Sequence, residues 1–184
     1  MTATIITSAF GEPYADQIEP YAEMEPDAVV EAWKENLIET YRKDNFDFLK
    51  IIGEDNIPAG LNWEAFRNGK ETSRTKRHLT YTVETYDYTG GAHGIGYEFN
   101  MNFDIRTGKL LLKEDIIKDG REGDEKVDLF EEKISPNSNF SLLEDGISFT
   151  FNRYDIAAYA YGIIDIFIPA EEIRPYTNPG LKLF

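Results

Sequence analysis

The sequence predicts an α+β fold: a mainly antiparallel sheet with one long amphipathic helix packed on one face, in two layers. Two observations indicate this class. Apolar residues recur at helical spacing in one N-terminal segment, near residues 26–48. From residue 79 onward, short runs of alternating apolar and polar residues are separated by turn signals, which is typical of antiparallel strands. No parallel crossover is required, so helix and strands are expected to segregate.

The helix is predicted to begin at Glu25–Asp27, where a proline in the first turn and two acids suit the positive end of a helix. Val30, Trp33, Leu37 and Tyr41 follow at helical spacing. This pattern predicts an amphipathic helix of about 16–20 residues that covers an apolar surface.

The rest of the N-terminal region gives weaker signals. Residues 4–10 are predicted to form a short strand, and residues 51–70, which contain Pro58 and three glycines, are predicted to be loop. We therefore assign residues 1–70 to a helical and loop region that packs on the sheet. Residues 71–184 are assigned to the antiparallel β-rich domain.

Period-two alternation predicts the first strands. Leu79, Tyr81 and Val83 alternate with polar residues, and residues 97–105 repeat the pattern. The apolar set is expected to be buried, and the alternate set is expected to face water: Glu98, Asn100, Asn102 and Asp104. A tight turn at residues 106–109 then leads into a return strand at residues 110–112.

Three further strands are predicted near the C-terminus, at residues 140–143, 147–151 and 161–168. Glu144–Gly146 is a hairpin signal between the first two. Pro169 is expected to end the last strand, and residues 170–176 are expected to form a closing helical turn. Residues 113–133 are polar and are read as helix or loop.

Charge excludes several classes of partner. The formal net charge is −15, yet residues 61–80 carry five bases and two acids. An acidic field of this size disfavours nucleic acid and anionic membranes, and it would attract a cationic partner or simply keep the chain soluble. There is no cysteine. No apolar run approaches the ~20 residues of a membrane span. We expect no cofactor and no direct membrane insertion.

The stretch YTGGAHG, residues 88–94, has two readings. It is a connection between two strands, whose glycines supply positive φ, or it is a loop that uses His93 as a base or ligand. No Lys-Ser/Thr closes it and no helix follows, so it is not a phosphate-binding loop. The lone histidine has no nearby second histidine, which leaves a metal role without support in the spacing.

The aromatic stretch at residues 154–162 also has two readings. Its tyrosines form a ligand platform, or they pack inside a buried bend. The basic residues before His78 either pair with acids of the same fold or mark a partner site. Adjacent carboxylates, such as Asp124–Glu125 and Glu131–Glu132, could serve glycoside hydrolysis in principle, but they are expected by chance in a chain with 34 acids.

Three motifs together resemble a known bacterial family. YTGGAHG, then NFDIRTGKL at residues 102–110, and then YDIAAYAYG at residues 154–162 resemble the domain of unknown function shared by RsiV-type anti-sigma factors and PdaC-type peptidoglycan deacetylases. The resemblance covers about residues 75–172. Ala158 departs from the family pattern, which often has proline there.

The resemblance implies an exported, non-catalytic cell-envelope domain, such as a lipoprotein or an anchored ectodomain. Members of the RsiV type bind lysozyme, a cationic protein. We therefore expect an extracytoplasmic recognition domain for a cationic protein or a cell-wall glycan. Two alternatives stay open: a cell-wall glycan hydrolase that uses His93 with a neighbouring carboxylate, and a structural spacer. The predicted ligand-binding residues are Tyr88, Gly90, Gly91, His93, Tyr97, Tyr154 and Tyr159.

Overall fold

The computed structural model describes residues 26–53, 58–117, 134–178 and 183, and it confirms the α+β class with antiparallel sheets and one long helix. The chain divides into two compact units. The first comprises residues 1–64 and 88–94, and the second comprises residues 65–87 and 95–184. The strand predicted at residues 4–10 lies outside the described residues, as do residues 118–133.

The first unit contains helix α1, which spans Pro26–Ile52. It begins where the sequence predicts and is 27 residues long, which is longer than expected. Val30 is exposed, so the stripe begins at Val29 instead. The half-buried side chains recur every four residues: Val29, Trp33, Leu37, Tyr41, Asn45 and Leu49. The Tyr41 ring meets the Trp63 ring edge to face at 5.3 Å. None of the described helices is long and apolar enough to cross a membrane.

A four-stranded antiparallel sheet in the order β1-β2-β3-β4 belongs to the second unit, except for the strand-end residues Glu64 and Tyr88, which are assigned to the first. The strands are β1 (Glu64–Arg74), β2 (His78–Tyr88), β3 (Ile95–Asp104) and β4 (Leu110–Leu111). The loop predicted for residues 51–70 is wrong at its end, because β1 begins at Glu64. This strand has no apolar alternation, since nearly all of it is exposed at the edge of the sheet. The Tyr81 ring lies over Gly69 and occupies the space of a side chain there.

A three-stranded antiparallel sheet, in the order β5-β6-β7, completes the second unit. Its strands are β5 (Phe140–Leu142), β6 (Gly146–Phe151) and β7 (Ile164–Pro169). The hairpin at Glu144–Gly146 is confirmed. The start of the last predicted strand is wrong, because Tyr159–Tyr161 form a 3-10 turn. The short helices are α2 (Lys113–Ile116) and α3 (Ala170–Ile173), and α3 with the turn Arg174–Tyr176 confirms the closing helical segment.

The hydrophobic core of the second unit is built mainly on the β5-β6-β7 sheet. Phe140 and Phe149 lie opposite each other in register, and their ring centroids are 6.1 Å apart. The other core side chains are Leu111, Ile116, Ile134, Leu142, Ile147, Phe151, Ile156, Ile173 and Leu183. Of these, the β1-β2-β3-β4 sheet supplies only Leu111.

The face of β3 that was expected to be wet is the buried one. Asn102 is 1% exposed and Asn100 is 8% exposed, whereas Phe99 and Met101 on the other face are half-buried. On β2, Thr80 and Thr82 lie opposite these asparagines in register and are also buried. The prediction is wrong because alternation separates two faces without showing which one meets the second sheet.

Candidate functional site

A buried amide network joins the two sheets of the second unit. The Asn102 side chain donates to the Phe140 carbonyl oxygen at 2.6 Å and accepts from the Leu142 N–H at 2.9 Å. β5 is an edge strand, so within the described residues these backbone groups have no neighbouring strand on that side. The Asn102 amide therefore takes the place of a strand partner, because it presents the same donor and acceptor as a peptide group.

Side-chain amides also take the place of a strand partner at the edge of β3, beyond the point where the short β4 ends. The Asn152 side chain accepts from the Glu98 N–H at 2.7 Å and donates to the Glu98 carbonyl oxygen at 3.0 Å. The Asn139 side chain accepts from the Asn100 N–H at 2.8 Å and also donates to Glu98. These bonds fix Asn139, just before β5, and Asn152, just after β6, against β3.

Asn152 also begins the bend that carries the tyrosines of the third motif. Its N–H donates to the Asp155 carboxylate at 2.7 Å, and the Asp155 N–H donates back to the Asn152 carbonyl at 3.0 Å. Tyr154, between them, has φ +72°, which only glycine adopts at low cost. Ile156 and Ala157 then turn inward and are buried. The bend is thus held at both ends while Tyr154 points outward.

The bend presents what we call the tyrosine surface: Arg153, Tyr154, Tyr159 and Tyr161. Tyr154 is 53% exposed and Tyr161 is 48% exposed. The Tyr154 and Tyr159 rings are tilted by 40° with centroids 5.7 Å apart, and the Arg153 guanidinium lies 5.4 Å from the Tyr159 centroid. The buried-bend reading is therefore wrong for Tyr154 and Tyr161, whereas Tyr159 is half-buried.

Arg153 is a residue that the sequence reasoning missed. Its guanidinium donates to the Gly96 carbonyl oxygen at 3.1 Å. A Cβ at Gly96 would lie 3.5 Å from that guanidinium and 3.0 Å from the Thr85 carbonyl oxygen, so a side chain there would crowd both. A cation next to tyrosines was a usable signal, because arginine pairs with aromatic rings.

A half-buried carboxyl, that of Glu98, lies on the same face of β3 as Asn100. Burial raises the pKa of Glu98, and the nearby Asp165 raises it further. Asp165 is held by the Thr150 hydroxyl, which donates to it at 2.6 Å. Thr150 in turn accepts from Asn100 at 2.9 Å. Two carboxyl groups in different environments are the starting point for acid–base chemistry. Among the described residues, no three acids or histidines are grouped to hold a metal ion.

YTGGAHG is the connection between β2 and β3, as one of its two readings predicts. Gly90 and Gly91 have φ values of +98° and +93°. A Cβ at Gly90 would lie 2.7 Å from the Gly60 carbonyl oxygen, so the loop needs glycine there for space as well as for φ. The Tyr88 hydroxyl donates to the Gly91 carbonyl at 3.1 Å, and the exposed His93 ring nitrogen Nδ1 lies 3.2 Å from the Gly94 carbonyl oxygen.

The seven predicted ligand-binding residues fall in both units. Four lie in the first unit: Tyr88, Gly90, Gly91 and His93. Three lie in the second unit: Tyr97, Tyr154 and Tyr159. Within the second unit, Tyr154 and Tyr159 pair with each other, whereas Tyr97 stacks on Phe99 with centroids 6.1 Å apart. His78, whose neighbours suggested a basic stripe, is buried, and its burial lowers its pKa.

The family can be assigned once these motifs are in place. A family model described as a protein of unknown function, DUF3298, matches residues 8–171. The chain belongs to the DUF3298 family. The expected membership in a family of unknown function is therefore confirmed, and the match extends further toward the N-terminus than the three motifs do.

Two solved structures of DUF3298 proteins resemble the chain. A family member from Bacteroides fragilis NCTC 9343, BF2082, is 27% identical, with a TM-score of 0.76, over 96% of this chain and 76% of that one. A second, PA4972 from Pseudomonas aeruginosa PAO1, is 20% identical, with a TM-score of 0.55, over 66% of this chain and 64% of that one, and shows the fold alone. No curated protein matches the chain.

Proposed function

We propose that this DUF3298 domain is a non-catalytic recognition domain that binds its partner through the tyrosine surface. The observation that carries the proposal is the conformation of Tyr154. A non-glycine residue in the left-handed region costs about 1–2 kcal/mol, and a tyrosine that is half exposed recovers little of that cost by burial. A strained residue that holds an aromatic ring in solvent is typical of a binding site.

The proposed partner is a cationic protein. Tyrosine and arginine are the residue types that contribute most to protein–protein binding energy, and the tyrosine surface consists of them. The net charge of −15 would speed the approach of a cationic partner. The resemblance to lysozyme-binding RsiV-type proteins suggests lysozyme as the first partner to try. An extracytoplasmic location is part of this proposal.

Calorimetry with lysozyme, at low and at moderate salt, tests the proposal. We expect binding that weakens with salt, and Tyr159→Ala and Tyr154→Gly each weakening it about tenfold or more, since truncating a central aromatic residue costs ≥ ~2 kcal/mol. Glycine is chosen at position 154 because it accepts φ +72° without strain, so the loss of binding would come from the ring alone.

Tyr86→Ala is the matched control, because Tyr86 is an exposed tyrosine of β2 outside the bend. It should leave the affinity unchanged. Equal weakening by all three variants would contradict the assigned surface. Binding of soluble peptidoglycan fragments without product would move the partner class to glycans. No heat with either ligand would remove the recognition proposal and leave the structural spacer.

A second candidate function, hydrolysis of a cell-wall glycan, is favoured by one observation. Burial and Asp165 raise the pKa of Glu98, and a carboxyl with a raised pKa is suited to act as a general acid when a second carboxyl lies nearby. The pair that supports this candidate is therefore Glu98 with Asp165, in place of His93. Turnover of peptidoglycan that is abolished in Glu98→Gln would establish it, and turnover that survives this change would contradict it.

A further inference from the structure

β1 is a long strand with one open edge. It has 11 residues, of which nine are exposed, and it lies at the end of the strand order β1-β2-β3-β4. Within the described part of the chain, no strand pairs with its outer side. Such an edge leaves a row of backbone N–H and C=O groups that can pair with another strand. An 11-residue edge is long compared with a mean strand of about 5–6 residues.

The charges of β1 are arranged almost symmetrically around Gly69. The sequence is EAFRNGKETSR, from Glu64 to Arg74. If a second β1 lies antiparallel with Gly69 opposite Gly69, Glu64 faces Arg74 of the other copy. In the same register, Arg67 faces Glu71 of the other copy. Because of the two-fold symmetry, each pair occurs twice, so four opposite-charge pairs form across the junction.

Neighbouring registers lose this complementarity. A shift of one residue in one direction places Arg67 opposite Lys70, which is a pair of like charges. A shift in the other direction leaves no charged residue of β1 opposite another. Cross-strand opposite charges stabilise a pairing and like charges destabilise it. The charge pattern therefore selects one register out of those that the open edge would allow.

The edge strand β1 lacks the acidity of the chain as a whole. The chain as a whole carries −15, so two copies repel each other over most of their surfaces. β1 carries three bases and two acids, a local charge of +1. Each of its basic residues also has an acid of the same chain beside it: Arg67 with Asp87, Lys70 with Glu84, and Arg74 with Glu71.

We propose that two copies of this chain associate through β1, antiparallel and centred on Gly69, to form one continuous eight-stranded sheet. The interface is isologous, because each copy contributes the same strand. Recognition is by backbone hydrogen bonds along the edge, and the register is set by the Glu64–Arg74 and Arg67–Glu71 pairs. This inference is independent of the tyrosine surface, which contains none of these residues.

Sedimentation velocity of the full chain at increasing concentration tests the proposal. The wild-type chain is expected to show a monomer–dimer equilibrium. Arg67→Glu places a carboxylate opposite the Glu71 carboxylate of the other copy, and Glu71→Arg places two guanidinium groups opposite each other. Each change affects two pairs per dimer, so we expect each variant alone to dimerise about tenfold more weakly.

A mixture of the two variants is the decisive arm. In a heterodimer of Arg67→Glu with Glu71→Arg, position 67 of each copy faces position 71 of the other.

 The Arg67→Glu variant carries acids at both positions, and the Glu71→Arg variant carries bases at both. Each cross-strand pair in the mixture therefore joins an acid to a base, and the mixture should dimerise about as tightly as wild type.

Lys70→Glu is the matched control for net charge. It changes the charge as much as Arg67→Glu does, but Lys70 faces the neutral Asn68 of the other copy. This variant should therefore weaken dimerisation less than Arg67→Glu.

Three results would overturn the proposal. The first is a wild-type chain that remains monomeric at every concentration, which would mean that the edge of β1 is closed in some other way. The second is a mixture that dimerises no better than its components. The third is a Lys70→Glu variant that loses as much affinity as Arg67→Glu, because only net charge would then matter. Thermal unfolding of each variant verifies that it is folded, since the exposed ion pairs lost within one chain contribute little.

Discussion

The two sheets of the second unit bury different kinds of side chain. The β5-β6-β7 sheet contributes phenylalanine, leucine and isoleucine to the core. On the β1-β2-β3-β4 sheet, by contrast, the buried side chains of β2 and β3 include threonines and asparagines: Thr80, Thr82, Asn100 and Asn102. One sheet is therefore held by removal of apolar area from water, which is non-directional, and the other is held by directional hydrogen bonds.

The difference follows from what each sheet has to satisfy. β5 has an open edge beside the other sheet, and β3 has one where β4 ends. Buried backbone groups at these edges need partners, and polar side chains supply them here. Asn102 at one edge and Asn152 at the other serve this purpose. The comparison shows that a polar face can be the inner face of a sheet when it meets an unpaired edge.

The largest expected effect comes from making the polar sheet resemble the apolar one. Asn102→Leu keeps the branched shape at Cγ but leaves the Phe140 carbonyl and the Leu142 N–H without the amide that pairs with them. Each unsatisfied buried group costs about 1–3 kcal/mol, so we expect the free energy of unfolding to fall by about 4 kcal/mol. Chemical denaturation of the variant and the wild type measures this difference.

Ile147→Val is the matched change in the apolar sheet. Ile147 is fully buried and lies opposite Leu142 in register. Removal of one methylene there should cost about 1 kcal/mol, because no hydrogen bond is lost. If Asn102→Leu were as mild as Ile147→Val, the amide would not be replacing a strand partner, and the contrast between the two sheets would be one of composition only.

An intermediate effect is expected along the hydrogen-bonded chain that crosses the polar sheet. Thr82 donates to the Asn100 side chain at 2.6 Å and is linked to Thr72 at 2.6 Å. Thr82→Val is nearly isosteric and leaves the Asn100 side-chain oxygen Oδ1 without that donor. The free energy of unfolding should therefore fall by about 2 kcal/mol. Thr72→Val removes the exposed hydroxyl at the end of this series of hydrogen bonds and should change the free energy of unfolding by less than about 0.5 kcal/mol. Equal costs for the two variants would show that burial does not set the strength of these bonds.

Much of the fold can be predicted from the sequence, because period-two alternation and turn residues are local signals. Strands β2 and β3 and the hairpin at Glu144–Gly146 are of this kind. β1 could not be predicted in full, because an exposed edge strand needs no apolar face and so shows no period. The orientation of β3 could not be predicted either. Alternation does not distinguish the two faces of a strand. The face of β3 that is buried depends on the tertiary packing of β5, which local sequence does not show.

Part of the tyrosine surface could be predicted from the sequence. Tyr154 and Tyr159 are named by the aromatic motif, and the structure pairs their rings. Arg153 was missed, because its role depends on Gly96, which is 57 residues away in the sequence. The raised pKa of Glu98 also has no local signal, since it depends on burial and on Asp165 of β7. Local motifs therefore predicted side chains within one bend and not the contacts that strands from elsewhere add to it.

The smallest expected effect concerns two acids that face each other across β2 and β3. Glu84 and Glu98 are partners in register, yet their pKa values move in opposite directions. The hydrogen bond from Lys70 lowers the pKa of Glu84, with help from Asn68. Burial raises the pKa of Glu98, as does Asp165. The same residue type thus has a paired cation on β2 and a dominant effect of burial on β3.

The pH dependence of unfolding should separate these two environments. The folded state holds the Glu98 proton more tightly than the unfolded chain does, so ionised Glu98 lowers stability as the pH rises above the ordinary value of 4.5. Glu98→Gln should therefore gain stability relative to wild type as the pH rises from about 4 to about 7. Glu84 contributes stability above its unfolded pKa and loses that contribution as the pH falls, so Glu84→Gln should be less stable than wild type at neutral pH, with the difference vanishing in acid. Unfolding curves over this pH range measure the stability of both variants relative to wild type. If the two stability differences changed with pH in the same direction, the environments of Glu84 on β2 and Glu98 on β3 would not differ as their hydrogen bonds and burial indicate.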